Sequence, residues 1–420
     1  MFAVEGGAGC GKTFELTGAL AAAAKRAPLA DGQRVLALTF MVGAKHKLNE
    51  RLREVPGVTG RVVCSTIDSF AWRLTRRWRG LLGALGLERT AEGDYDGQCA
   101  AAATLLERPE VRCWVAVSFP IVVVDEAQDL KPERLRIVVA LSDATELLVA
   151  ADEFQCLDPS LRPNPLVGWL HHVCRPRVLD VVHRTRVRGL LDAAAAIRSG
   201  NPPRSKGDFR IIASRGPNMA PSLVSNAIGW GKPVNGTLAV ITPARAGDFA
   251  SAVITRVGER RNGKGFGPYP IRWERSEKEE LDRVLKAITL DGQVDLERTL
   301  AALGAVLPAQ TARATMAWVR HQASARGQTS FTRTEVAAAI AREINIRRQR
   351  QATSGSRMAA MTVHQAKNRE FDGVVVLWPY RLGGDAEHKR RLLNNAVTRA
   401  RSWCTVVVQN EDLLTAPPFT

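Results

Sequence analysis

Short, nearly continuous runs of apolar residues recur along the chain and predict buried β-strands. Such runs are typical of parallel sheets that are covered by helices on both faces. Helix-like segments, among them Thr13–Lys25 and Ala44–Arg53, lie between the early runs. This alternation predicts α/β domains. The predicted strands are Phe2–Val4, Arg34–Phe40, Ile121–Val124, Leu147–Ala150, Leu238–Ile241, Ala360–Val363, Val374–Leu377 and Cys404–Val408.

Two stretches break this alternation and read as insertions into α/β cores. Ala71–Pro120 is rich in Ala, Leu and Arg and has a helical pattern. Arg256–Arg357 opens with a loop rich in Gly and Arg and continues with further helical patterns. A length of 420 residues predicts two to four domains, each with its own hydrophobic core.

Charge is the first indication of a partner. Lys and Arg number 59 against 42 Asp and Glu, which gives a net charge of +17. A polyanion, most simply a nucleic acid, is the leading interpretation, and a basic surface without a function is the alternative. The 45% hydrophobic and 24% charged residues are typical of a globular protein and exclude a wholly disordered chain.

Targeting signals and cysteine spacing indicate the compartment. We see no apolar run of about 18 residues and no basic segment ahead of an apolar one, so neither a membrane span nor a signal peptide is predicted. The 7 cysteines are scattered, without a C-x-x-C pair. This spacing favours reduced thiols in a cytoplasmic protein.

A phosphate-binding loop follows the first predicted strand. Residues 6–13 fit the pattern G-x-x-x-x-G-K-[ST], in which backbone N–H groups cradle phosphates at the start of a helix. Lys12 would reach the β- and γ-phosphates, and the Thr13 hydroxyl would bind Mg²⁺. The predicted nucleotide contacts here are Gly6, Gly7, Ala8, Gly9, Cys10, Gly11, Lys12 and Thr13.

Two adjacent carboxylates follow the apolar run that begins at Ile121. Asp125 would hold Mg²⁺, and Glu126 would act as general base toward the attacking water. An ordinary acidic strand end is the alternative. Together with the phosphate loop, the pair predicts an ATPase that uses Mg²⁺.

The order of the remaining motifs resembles the UvrD/Rep/PcrA branch of the superfamily 1 DNA helicases. The phosphate loop and DEAQD (residues 125–129) match its two ATPase motifs, and similar segments follow one another up to residue 401. These segments are LALTFMVGAKHKLNERL (36–52), STIDSFAWRL (65–74), ADEFQ (151–155), VHRT (182–185), MTVHQAKNREF (361–371) and NAVTRAR (395–401).

The resemblance implies roles for single residues. Gln155 would sense the γ-phosphate, Arg184 would contact it, and Arg399 would be an arginine finger. His183 would lie against the adenine, and Glu370 would bind the ribose. The implied contacts with single-stranded DNA are Thr39, Phe40, Thr66, Phe70, Thr362 and His364.

The resemblance also implies the fold: two RecA-like P-loop domains with parallel sheets, each with a mainly helical insertion, and ATP between them. The first would cover residues 1–170 with an insertion at about 71–118. The second would comprise 171–255 and 356–420, with an accessory subdomain at 256–355. We expect an ATP-dependent motor on single-stranded or tailed DNA.

Several features depart from the family pattern. Only five residues precede Gly6, so the helix with a Gln that reads adenine in the family is absent. Another element reads the base, specificity for ATP is relaxed, or the start is truncated. His183 replaces Tyr, Asp68 replaces His, and no aromatic residue directly follows Gln155. In the family an aromatic residue there helps to bind a base.

Other functions stay open on the sequence. The short insertions also suit a DNA-binding switch, or a subunit that works with a nuclease partner. A kinase or packaging ATPase is disfavoured by the motifs of Arg184 and Arg399. The motifs at Asp125 and at Thr39–Phe40 favour 3′→5′ movement, although Val363–Asp372 also resembles the 5′→3′ RecD-like enzymes. The segment Trp72–Arg79 joins two Trp to four Arg, and either contacts nucleic acid or turns its Trp residues into the core.

Overall fold

The computed structural model contains two parallel six-stranded sheets with helices on both faces. It describes residues 1–40, 42–87, 94–216, 218–231, 236–245, 247–274, 277–290, 292–307, 309–351 and 358–420. The two-sheet α/β architecture predicted from the sequence is confirmed. None of the helices in these ranges is long and apolar enough to cross a membrane. The seven cysteines, all of them described, are free thiols.

The first sheet has the strand order β3-β2-β4-β5-β1-β6, with every neighbouring pair parallel. Alternate side chains point to opposite faces, so that Leu36 and Leu38 enter one core while Val35 and Ala37 enter the other. Its strands are β1 Phe2–Gly6, β2 Val35–Thr39, β3 Val62–Thr66, β4 Ile121–Asp125, β5 Glu146–Ala151 and β6 Arg177–Leu179.

Helices cover both faces of this sheet. The helices α1 and α2 pack on one face, and α3 to α8 supply the core of the other. The described part of the predicted insertion at 71–118 is helical. The bounds are α1 Lys12–Arg26, α2 Val42–Arg53, α3 Ile67–Arg77, α4 Arg79–Ala84, α5 Tyr95–Leu106, α6 Pro109–Ser118, α7 Pro132–Ser142 and α8 Pro165–Val173.

The second sheet has the order β7-β14-β13-β8-β12-β9, again all parallel. Ala239 and Ile241 point to the face covered by α9 and α17, and Leu238 and Val240 to the face covered by α10 and α11. The strands are β7 Phe209–Ala213, β8 Leu238–Thr242, β9 Arg272–Trp273, β12 Met358–Thr362, β13 Phe371–Trp378 and β14 Ala400–Val408. The helices are α9 Arg188–Ser199, α10 Met219–Trp230, α11 Phe249–Glu259, α16 Val363–Ala366 and α17 Ala386–Val397.

The remaining helices form a unit with a separate hydrophobic core around the buried Phe331. An antiparallel pair of short strands, β10 Gln293–Asp295 and β11 Ser330–Thr332, joins it. Its helices are α12 Glu277–Ala287, α13 Leu296–Val306, α14 Ala309–Arg326 and α15 Arg333–Gln351.

Two short edge strands lie beyond the predicted domain limits. The strand β6 belongs to the first sheet although it follows residue 170, and β9 belongs to the second sheet although it falls within 256–355. The division of the chain into domains at these residues stays a prediction.

Candidate nucleotide and nucleic-acid site

The phosphate loop joins the end of β1 to the start of α1. Gly9 and Gly11 adopt φ angles of +79° and +85°, a left-handed conformation that glycine adopts without strain. Lys12 turns back into the loop, and its Nζ donates to the carbonyl oxygens of Gly6 at 2.9 Å and Gly7 at 3.1 Å. Phosphate oxygens could take the place of these two acceptors, and the N-terminus of α1 favours negative charge there.

The end of β4 brings Asp125 to this loop. Its Oδ2 lies 3.4 Å from the Thr13 hydroxyl, and its Oδ1 accepts from the backbone N–H of Glu126 at 2.9 Å. Burial raises the pKa of Asp125 to about 6, and the nearby Glu126 carboxylate acts in the same direction. A hydroxyl and a carboxylate side by side suit Mg²⁺, which binds oxygen donors and retains water. These two residues therefore fit the predicted ion.

Glu126 stands in a backbone conformation that is uncommon for its type. Its φ is +57°, in the left-handed region, and such strain clusters at functional sites. Gln128 donates from Nε2 to Glu126 Oε2 at 2.6 Å, which orients the carboxylate. Gln128 also accepts from the Asp152 backbone at 3.0 Å, so it ties the ends of β4 and β5 together.

A series of contacts runs from the phosphate loop to the second half of the chain. Lys12 Nζ lies 3.9 Å from Asp152 Oδ2, which accepts from Gln155 Nε2 at 2.7 Å. Arg399 Nη2 then donates to Gln155 Oε1 at 3.1 Å. Arg399 is 1% exposed, and burial lowers the pKa of its guanidinium to about 10. The structure thus brings predicted residues of both halves together.

Arg184 and Glu370, for which separate roles were predicted, pair with each other. Arg184 Nε lies 3.0 Å from Glu370 Oε1, and Arg401 Nη2 lies 2.6 Å from Glu370 Oε2. Arg184 also donates to the Thr398 carbonyl at 2.9 Å. In this structure Glu370 therefore orients two arginines, and its contact with ribose stays a prediction.

His183 lies over the phosphate loop with an exposed side chain. Its backbone N–H donates to the Gly9 carbonyl at 2.8 Å, which holds the segment around Arg184 against the loop. The ring is therefore next to the cradle, as an adenine contact requires.

The predicted DNA contacts of the first sheet lie at the carboxyl ends of β2 and β3. Thr39 pairs in register with both Asp125 and Thr66, but it is fully buried, and its hydroxyl has no partner in the described chain. Phe40 is half-buried, with the Arg134 guanidinium 6.0 Å from its ring centre. Thr66 caps α3 by accepting from the Ser69 N–H at 3.2 Å.

Phe70, a further predicted DNA contact, lies in a hydrophobic core. It is 4% exposed and packs in the core between the first sheet and its helices. A contact with a strand would require this core to open, because the aromatic residue lies on the apolar stripe of α3. Packing is the role that the structure gives to Phe70.

On the second sheet, Thr362 and His364 lie where β12 passes into α16. Thr362 caps α16 in a reciprocal pair of hydrogen bonds with Gln365. His364 is exposed on the first turn. Both therefore stand at the carboxyl end of their sheet, where ligands of parallel sheets bind.

Two further contacts between the halves had no signal in the sequence. Lys367 Nζ lies 2.9 Å from both carboxylate oxygens of Asp129, and the two side chains are only 10% and 11% exposed. Burial raises the pKa of Asp129, and Lys367 opposes that shift. The buried Arg391 donates to the carbonyls of Glu153 at 2.7 Å and Cys156 at 3.2 Å. Both pairs join residues more than 230 positions apart.

Among solved structures, the chain has weak similarity to two helicase structures. Two structures of Arterivirus nonstructural protein 10, a helicase, one of them a complex with DNA, share 13% identity with this chain, at TM-scores of 0.40 and 0.39. The alignments cover 98% and 99% of this chain and 61% of each viral chain, so the chain spans less than two thirds of their length. No curated protein matches the sequence.

Family models match both ends of the motif series. Residues 1–159 match an AAA domain, and residues 358–407 match the UvrD-like helicase C-terminal domain. The first range contains the phosphate loop and both carboxylates, and the second contains Thr362, Glu370 and Arg399. The two matches support the resemblance to UvrD-like helicases of superfamily 1 that the order of the motifs indicates.

Proposed function

We propose that this protein is an ATP-driven motor that moves along single-stranded DNA in the 3′→5′ direction and unwinds tailed duplexes. ATP would bind in the cleft between the two sheets. The observation that carries the proposal is the hydrogen bond of Arg399 to Gln155, which joins the second half of the chain to the phosphate-binding half.

The geometry supports hydrolysis that is coupled to closure of this cleft. Lys12 would exchange its two loop carbonyls for phosphate oxygens, and Glu126 would accept the proton of the attacking water. Arg399 would stabilise charge on the phosphates from the opposite side. Mg²⁺ between Thr13 and Asp125 would neutralise part of the phosphate charge. Because residues of both halves would contact the γ-phosphate, the two halves would close when it is bound and separate after it is released.

The nucleic-acid part of the proposal rests on charge and on position. The net charge of +17 favours a polyanion. Thr66 and Thr362 lie at the carboxyl ends of the two sheets, so a strand could contact both halves. If the halves move relative to each other with each ATP, such a strand would be displaced stepwise. The 3′→5′ direction rests on the sequence motifs at Thr39 and Asp125.

One observation favours a second candidate, a DNA-dependent switch or the motor subunit of a nuclease complex. The two residues after Gln155, Cys156 and Leu157, are both buried. Neither side chain gives a base a surface to stack on, whereas the family has an aromatic residue directly after this Gln. A motor without that contact would hold its strand less firmly and would depend on a partner to separate a duplex.

The first experiment measures ATP hydrolysis with and without oligo-dT, with Lys12→Ala as the inactive control. We expect hydrolysis to rise at least tenfold with oligo-dT and to be lost in Lys12→Ala. Oligo-U in place of oligo-dT tests the preference for DNA. Duplexes with a 3′ or a 5′ single-stranded tail then test direction and unwinding. A rate of ATP hydrolysis that none of these nucleic acids changes would contradict an autonomous motor and favour the switch or the subunit.

A further inference from the structure

The helix α3 has two distinct faces. Ile67, Phe70, Ala71 and Leu74 are buried in the core of the first sheet. Trp72, Arg73 and Arg76 lie on the opposite side, where all three are exposed, Trp72 to 46%. We call these three residues the outer face of α3.

The two Trp residues of this segment have different environments. Trp78 is half-buried and packs edge-on to Trp114, with 6.3 Å between the ring centres. Trp72 points outward, and the Arg76 guanidinium carbon lies 5.2 Å from its ring centre. The sequence left open whether these residues were core or contact. The structure assigns Trp78 to the core and leaves Trp72 at the surface.

The outer face is cationic and is not neutralised by neighbours. Neither Arg73 nor Arg76 forms an ion pair within the described chain. The acid in the first turn of α3, Asp68, is engaged by Arg134 at 2.7 Å. Arg73 instead donates from Nε to the Ser69 carbonyl at 3.3 Å, which fixes its stem along the helix. The charge of both guanidiniums is therefore available to an anion.

The position of this face links it to the proposed site. Thr66, the N-cap of α3, stands at the carboxyl end of β3, beside Thr39 and two strands from Asp125. Trp72 follows Thr66 by six residues, or about 9 Å along a helix that rises 1.5 Å per residue. A strand that reaches Thr66 from the cleft would continue onto the outer face.

We propose that the outer face of α3 binds unpaired nucleic acid, with a base stacked on Trp72 and phosphates held by Arg73 and Arg76. Stacking on an aromatic ring beside cationic side chains is the general mode of sequence-tolerant binding to single strands. This site would supply stacking that the buried Cys156 and Leu157 cannot. The inference rests on the proposed function and adds a strand contact to it.

The test compares Trp72→Ala with a matched exposed Trp elsewhere. Trp230, at the end of α10, is 51% exposed and has Lys264 Nζ 4.4 Å from its ring centre. Binding of fluorescein-labelled oligo-dT is measured by anisotropy over a series of salt concentrations. We expect Trp72→Ala to weaken binding about 5- to 100-fold, and Trp72→Phe and Trp230→Ala to bind nearly as well as wild type.

Two additional arms separate the stacking from the charge. With an abasic strand in place of oligo-dT, Trp72→Ala and wild type should bind equally, since no base is present to stack. Arg73→Gln and Arg76→Gln should each reduce the slope of log affinity against log salt by about 0.7. Thermal melts check that every variant is folded. We expect them all to fold, because the replaced side chains are exposed.

The outcomes distinguish this inference from the motor proposal. If wild type binds oligo-dT and Trp72→Ala binds it equally well, the outer face is not a nucleic-acid site, while the motor proposal stands. If Trp72→Ala changes only self-association in sedimentation, the face is a contact between copies, and the inference is overturned. If wild type neither binds nor responds to any strand, both proposals fail.

Discussion

Arg399 and Gln155 meet at 3.1 Å across the boundary between the two sheets, and both side chains are buried. The guanidinium is fixed at two points, because Arg399 Nε also donates to the Asn395 carbonyl at 3.0 Å. Desolvation lowers its pKa to about 10, so it still carries its charge at neutral pH. The guanidinium charge therefore lies against the half of the chain that carries the phosphate loop.

Replacing Arg399 by Lys tests this arrangement. The shorter ammonium group cannot keep both hydrogen bonds. We expect kcat for ATP to fall about 10³-fold or more, with a much smaller change in KM, since an arginine finger acts mainly in the transition state. The matched control is Arg188→Lys, an 83% exposed arginine of the same half. An equal fall in kcat in both variants, or a change in KM without a fall in kcat, would contradict the role of Arg399 as an arginine finger.

The ion pair of Lys367 with Asp129 predicts a coupling between the two ligand sites. Asp129 follows Glu126 by three residues, and Lys367 directly follows α16, which carries His364. We expect Lys367→Met to reduce the stimulation of hydrolysis by oligo-dT about tenfold, because the turn proposed to bind DNA loses its direct link to the proposed catalytic residues at the end of β4. Buried pairs are sensitive to the loss of one partner, because the other charge is left uncompensated.

A double-mutant cycle with Asp129→Asn measures the pair itself. Urea unfolding of the four proteins should give a coupling free energy of about 1–3 kcal/mol. The exposed pair Arg188–Asp192, at 3.7 Å, serves as the control cycle and should give at most about 0.5 kcal/mol. A coupling free energy of at most about 0.5 kcal/mol between Lys367 and Asp129 would show that this ion pair does not stabilise the contact between the halves.

Gly9 predicts a steric limit on the loop. A Cβ at this position would lie 2.5 Å from Arg184 Cβ, too close for two carbon atoms, and φ is +79°. Gly32 has a similar φ of +82° but nothing within 4 Å of an added Cβ. Both Gly→Ala changes should cost about 1–2 kcal/mol of stability from the backbone alone. Only Gly9→Ala should also weaken binding of a fluorescent ATP analogue, by about tenfold or more, because Arg184 and the adjoining Val182 must move.

The central strands of both sheets were predictable, because they are buried on both faces and their apolar runs are nearly continuous. The edge strands were not. In β3 and β7 most residues are only partly buried, and the short β6 and β9 are partly exposed. One face of an edge strand lacks full cover, so its sequence loses the unbroken apolar signal. Pairing with a neighbour, which sequence periodicity does not report, defines them.

The sequence motifs predicted the residues of the candidate site, but they did not predict which of them contact one another. The motifs named Glu370 and Arg184, yet only the fold pairs them at 3.0 Å. Lys367 and Asp129 lie 238 residues apart, and no local pattern relates them. Phe70 matched a motif while serving the core, because the apolar face of α3 begins immediately after the Thr66 cap.

We expect the buried Asp125 to destabilise the folded protein when it is ionised, although the proposed Mg²⁺ site requires that charge. Its pKa of about 6 stands above the ordinary value of 3.8. Between these pH values the native carboxyl holds its proton while the unfolded one releases it, so the free energy of unfolding falls as pH rises. Above pH 6 the reduction in the free energy of unfolding caused by ionised Asp125 levels off at about 3 kcal/mol. This figure is the difference between the two pKa values multiplied by about 1.36 kcal/mol per unit.

Asp125→Asn removes this charge while keeping the shape of the side chain. Without nucleotide or Mg²⁺, we expect the variant to be more stable than wild type at pH 7.5, by about 1–3 kcal/mol, and the difference to vanish near pH 4. Hydrolysis should be lost, because the ion loses its carboxylate. Mg²⁺ should bind wild type more tightly as pH rises from 5 to 7, since it competes with the proton on Asp125. Urea unfolding at both pH values and Mg²⁺ titrations supply the measurements. A variant that is less stable than wild type at pH 7.5 would mean that ionised Asp125 is compensated in the free protein, by Lys12 and Thr13 together.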